Sequence, residues 1–76
     1  MEVFPGISMD PAVRFGKPCL SGTRVDVATI IEALAAGDSF EVVADAYQLT
    51  REQILTALRY VAHVTLHVPP AVQKAS

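Results

Sequence analysis

A single cysteine and no tryptophan stand among the 76 residues. One thiol, Cys19, excludes a disulfide framework and a cysteine-built zinc site. A basic excess is missing as well. Six Lys and Arg against eight Asp and Glu leave a net charge of −2, too little for a chain that coats nucleic acid through charge alone. No apolar run reaches the ~18 residues of a membrane span. The start, Met1 to Gly6, lacks the basic and apolar segments of a secretory signal, so a cytoplasmic protein is expected.

What the chain does have is apolar content. Apolar residues make up 51% of it and mean hydropathy is +0.36, whereas a chain of this length hides only about 60% of its unfolded surface on folding. Burial against a second copy is the expected remedy.

Three zones divide the sequence. Residues 1–26 hold three of the five Pro and three of the four Gly, without helical period. They read as an arm with short strands at Ile7-Ser8-Met9 and Thr23-Arg24-Val25. One turn is expected over Pro11 to Arg14, and a tight turn at Ser21-Gly22, where Gly22 takes positive φ. The apolar arm residues Val3, Phe4, Ile7, Phe15, Leu20 and Val25 are expected to cover the helices or exchange with a partner chain.

Residues 27–66 are helical by pattern. Val27, Ile30, Ile31 and Leu34 form one face of a helix capped by Asp26 and closed by Gly37. Ser39 caps a second helix with Phe40, Val43, Ala44 and Tyr47 at the same spacing. Thr50 and Gln53 form a capping box for a third. That third helix carries a core stripe, Ile54-Leu58-Val61, and a second stripe, Leu55-Ala62-Leu66, which is the expected dimer interface. Residues 67–76, beginning around Val68-Pro69-Pro70, read as a flexible tail. The fold class expected is mainly α, a three-helix, homeodomain-like helix-turn-helix bundle with a short N-terminal β arm, in one domain.

Residues 39–58 follow the helix-turn-helix pattern. Ala44 is small where the helices cross, and Tyr47, Leu49, Ile54 and Leu58 fill the angle between them. Gln48, where glycine is usual, must adopt a left-handed conformation or a different turn. Arg51, Gln53 and Thr56 would then face a DNA major groove and read bases. Arg14, Lys17 and Arg24, opposed in residues 1–25 only by Glu2 and Asp10, would contact phosphates. A second reading of Arg24 is an ion pair with Glu32 or Asp45. Helices paired in this way also occur in proteins that never touch DNA, so a pure protein-interaction module is the rival reading.

Other chemistry is poorly supported. Gly16-Lys17-Pro18 lacks the upstream glycine and the Ser/Thr of a phosphate-binding loop. His63 and His67 lie i, i+4 without a carboxylate or Cys nearby, so they read as solvated or interface residues and no metal is expected. No catalytic set and no cofactor site stand out, and an enzyme is not expected.

The string Arg14-Phe15-Gly16-Lys17-Pro18-Cys19-Leu20-Ser21-Gly22-Thr23-Arg24-Val25, preceded by Ile7 to Pro11, resembles a bacterial and archaeal family, domain of unknown function 433. The resemblance runs through Leu34 to Ser39 and Leu49 to Ile54, covering about residues 7–62. It departs from the family at Tyr47-Gln48-Leu49-Thr50, where many members carry proline after the tyrosine. The resemblance implies a helix-turn-helix fold and an antitoxin-like role beside a PIN-like ribonuclease toxin, with no catalytic residues. On that reading the partners are a second copy, the toxin and operator DNA, and no membrane.

Overall fold

In the computed structural model, which describes residues 1–71, a short sheet precedes three helices. Strands β1 (Glu2–Phe4), β2 (Ile7–Ser8) and β3 (Cys19–Leu20) form an antiparallel sheet in the order β1-β2-β3. The helices are α1 (Val27–Ala35), α2 (Phe40–Tyr47) and α3 (Arg51–Leu66). The part of the expected tail from residue 72 onward lies outside the described residues.

Local side chains set the helix boundaries. Ser39 accepts the Val42 amide at 3.2 Å at the start of α2. Thr50 and Gln53 make a reciprocal capping box at the start of α3, with bonds of 3.1 and 2.8 Å. Gln48 closes α2 in the left-handed region, at φ 57 and ψ 47. A helix terminus leaves carbonyls needing donors, and the amides of Gln48 and Leu49 both turn back to the Ala44 carbonyl. Asp26 occupies the N-cap position of α1, where its carboxylate accepts the Thr29 hydroxyl at 2.8 Å and makes no full hydrogen bond to a helix amide.

The arm departs from expectation in several places. β1 was not expected. Pro5-Gly6 joins it to β2, with Gly6 at φ +84 as the third residue of a Pro-Gly turn requires. The third strand is Cys19–Leu20, not Thr23 to Val25, because the Thr23 hydroxyl closes its own turn. That hydroxyl donates to the Leu20 carbonyl at 2.8 Å and accepts the Val25 amide at 3.1 Å, with Gly22 at φ +78. The single turn falls at Arg14–Gly16 rather than over Pro11 to Arg14. Asp10 accepts the Ala12 amide at 2.9 Å and holds the intervening chain in an Asx turn.

The core unites arm and helices. The largest fully buried side chains are Ile7, Leu20, Ile30, Ile54 and Val43, two of them from the arm. On α3 the buried positions are Ile54 and Ala57, with Tyr60 and Val61 packed alongside. Leu58 is only half-buried, so the core stripe is rotated from the one expected. The sheet lies over α3: Phe4 meets Tyr60 edge-on at 5.6 Å and His63 at 5.1 Å. Of the two places expected for Phe15, over the helices or against a partner chain, the first is not taken. The residue is 91% exposed.

Candidate functional site

The first turn of α3 places the three expected base-reading side chains in different surroundings. Arg51 is exposed, with its guanidinium 4.7 Å from the centre of the Phe40 ring, a cation–π contact that ties it to the start of α2. The Gln53 side chain is occupied by the capping box. Thr56 is half-buried under the β1–β2 turn. A Cβ added to Gly6 would come within 2.8 Å of its methyl group. Acidic groups flank this end of the helix. Glu41 and Asp45 line a shallow cleft with Gln48 and Thr50, and Glu52 pairs with Arg59 at 3.1 Å.

The arm cations divide between two clefts. Arg14 and Arg24 line one with Val25, Asp26, Thr29 and Tyr47, while Lys17 borders a separate groove between α1 and α3. Neither cleft is lined by Arg51. The expected ion pair of Arg24 with Glu32 or Asp45 is absent among the described residues. The arm's ion pair is Arg14 to Asp26, Nε to Oδ1 at 3.5 Å. Turn geometry decides this, because the left-handed backbone at Arg14 carries its side chain back toward the start of α1, where Asp26 is buried.

Asp26 is the one buried charged side chain among the described residues. Burial alone would raise its pKa. The Thr29 hydroxyl at 2.8 Å, the backbone amides of Asp26 and Thr29, and Arg14 outweigh that and hold it below the ordinary carboxylate value. Cys19 lies next to this centre. Burial first, and the Asp26 carboxylate second, push its thiol up against the opposing pull of Arg14, so it is a poor nucleophile at neutral pH.

The loop held by Arg14 was not foreseen. Arg14, Phe15 and Gly16 lie in succession at φ 50, 59 and 82. Left-handed backbone costs a non-glycine residue roughly 1–2 kcal/mol, and the exposed Phe15 ring returns no burial to offset it. Only the glycine gave a sequence signal. The two residues before it have no local mark in the sequence, and their turn is closed by the Gly16 and Lys17 amides on the Val13 and Arg14 carbonyls.

The expected dimer stripe is uneven. Leu55 is half-buried, Ala62 is exposed and Leu66 is 80% exposed. Val64, on the core-facing side of α3, and Val68, just beyond the helix end, are 43% and 59% exposed. The His63 and His67 rings lie 4.2 Å apart at a tilt of 41°, and among the described residues no three His, Cys, Asp or Glu gather to hold a metal. None of the described helices is long and apolar enough to cross a membrane.

Comparison with known proteins adds three findings. The chain is 38% identical over 56 residues to the Mycobacterium tuberculosis (strain ATCC 25618 / H37Rv) protein named "Putative antitoxin VapB45", a match covering 74% of this chain and 23% of that protein. The X-ray crystal structure of Rv2018 from Mycobacterium tuberculosis superposes with a TM-score of 0.63 at 38% identity, over 68% of this chain and 24% of that one. The chain thus matches about a quarter of the length of these relatives. The profile described as "Protein of unknown function (DUF433)" matches residues 7–61, most of the arm and all but the last turn of the helical body, and the chain belongs to that family.

Proposed function

We propose that this chain is a non-catalytic, antitoxin-like protein of a type II toxin–antitoxin pair, acting in the cytoplasm. It neutralises a PIN-like ribonuclease toxin and represses its own promoter as a homodimer. The likeness to a protein named as an antitoxin carries this reading. In it α2, the Gln48 to Thr50 turn and α3 act as a helix-turn-helix. Arg51, Gln53 and Thr56 face the bases, and Arg14, Lys17 and Arg24 face phosphates. Leu55, Ala62 and Leu66 form the dimer contact. Arg51 has the greatest reach toward a base, since Gln53 is engaged in the cap and Thr56 lies under the hairpin.

A second reading has its own support. The acids Glu41, Asp45 and Glu52 surround the start of α3, which favours a surface that grips protein and never meets DNA. Two assays on one variant separate the readings. Co-expression measures rescue from the toxin, and a mobility shift at stated salt measures promoter binding. Arg51→Ala is expected to keep the rescue and lose the shift. A wild-type chain that rescues without shifting DNA at micromolar dimer, with toxin present or absent, leaves only the second reading. Failure to rescue defeats both.

A further inference from the structure

The Arg14–Gly16 loop and the groove between α1 and α3 fit one another as the two halves of a self-association contact. Phe15 is the most exposed large apolar side chain among the described residues. It does not hang on a slack loop. Its backbone is held in the left-handed region by a Gly16 amide bond to the Val13 carbonyl and a Lys17 amide bond to the Arg14 carbonyl, both 3.1 Å. The Arg14 ion pair to buried Asp26 fixes one side of the loop, and Pro18 fixes its exit. A strained, locked backbone that points an aromatic ring into solvent is a pre-organised prong, and pre-organisation lowers the cost of binding.

The groove begins at the next residues of the same chain. Lys17, Pro18 and Asp26 form one end, and Val27, Ala28, Ile31, Tyr60 and Val61 form the walls of an open groove of about 400 Å³. An apolar cavity of ~150 Å³ already accepts a benzene-sized ring. Glu32 stands exposed on its border, opposite in sign to the Lys17 that travels with an incoming prong. We infer that Phe15 of one copy seats in the α1–α3 groove of a second copy, with Lys17 of each facing Glu32 of the other. Because prong and groove are neighbours on one chain, a two-fold axis beside Pro18 satisfies both at once, giving a closed, isologous contact. Each ring buries roughly 150–250 Å², and two such rings form the central anchors of an interface. This contact lies on a different surface from the Leu55-Ala62-Leu66 stripe, competes with that stripe for the role of dimer contact, and does not depend on toxin or DNA binding.

The test is sedimentation velocity on the full chain across micromolar concentrations, with three variants and one mixture. Phe15→Ser and Ala28→Arg both change exposed positions, so circular dichroism should report unchanged helix and melting. Each variant alone should raise the dimer dissociation constant at least about tenfold, since truncating a central aromatic anchor commonly costs that much. Mixed together, the Ala28→Arg prong can enter the Phe15→Ser groove, so the mixture should associate more tightly than either variant alone. A mixture no tighter than its components overturns the proposal. So does a Phe15→Ser protein that dimerises like wild type, including one that has lost only toxin capture, or a wild type that stays monomeric at hundreds of micromolar. Leu55→Lys separates the two surfaces. If it alone yields monomer, the stripe is the dimer contact and the prong is not.

Discussion

Gly6→Ala tests the packing of the hairpin on α3 and, with it, the place of Thr56. Two terms act at this position. The φ of +84 costs alanine about 1–2 kcal/mol relative to glycine. The new Cβ would also stand 2.8 Å from the Thr56 methyl group, a separation that forces something to move. Overpacking of this kind costs about 1–3 kcal/mol, so the sum is about 2–5 kcal/mol. For a domain of this size each kcal/mol lowers Tm by roughly 4–8 °C. Gly22→Ala is the control, because Gly22 has a similar φ of +78 but nothing within 4 Å. It should show only the backbone cost. Thr56→Ser removes the offending methyl and leaves the hydroxyl. Combined with Gly6→Ala it should recover about 1–3 kcal/mol, a coupling that a double-mutant cycle isolates. Urea denaturation followed by far-UV circular dichroism gives all five free energies. If Gly6→Ala costs no more than Gly22→Ala, or Thr56→Ser rescues nothing, the hairpin does not rest on Thr56. That side chain is then available to a ligand.

Two further outcomes follow from the charges. The folded pKa of Asp26 lies below its unfolded value, so between the two the unfolded chain binds more protons. The stability it contributes is therefore full above about pH 5 and is lost as pH falls through ~3.9 and the lower folded value. Asp26→Asn should lower stability at pH 7 by about 1–3 kcal/mol and flatten the acid limb of a urea-midpoint against pH curve. An unchanged limb would show that Arg14 and Thr29 do not favour the carboxylate. Arg24, exposed and without an ion pair among the described residues, should tolerate Gln within about 0.5 kcal/mol. If it touches phosphate, the same change reduces the slope of promoter affinity against salt by about 1, and an unaltered slope removes it from the DNA surface.

The helical half was legible because its signals are local. Ser39 to Val42 and Thr50 to Gln53 each span one turn, so the sequence spacing already implies the bond. Of the two conformations open to Gln48, left-handed or a different turn, the structure takes the left-handed one. Local spacing could not reveal contacts made across the fold. Arg14 meets Asp26 only after the arm has folded back, and neither Glu32 nor Asp45 pairs with Arg24 among the described residues. The same limit explains Thr56. Its outward position on α3 was read without the hairpin, and Gly6 reaches it from fifty residues away. Phe15 shows the limit most clearly, since hydrophobicity argued for burial while the backbone of its neighbours turned it to solvent.

Core and function compete for the same few apolar residues in so short a chain. Ile7 and Leu20 are drawn into the centre from the arm, so the arm cannot peel away to bind a partner without exposing two of the largest buried side chains. A recognition element that leaves the core intact must project from it. The molecule does project. Its radius of gyration is 14.4 Å, against about 11 Å for a compact domain of 76 residues. The extensions are apolar at the Phe15 loop and along Val64, Leu66 and Val68 at the end of α3, where solvation offers them nothing. Scattered single apolar residues need no explanation, but a strained loop that lifts one of them fully into water does.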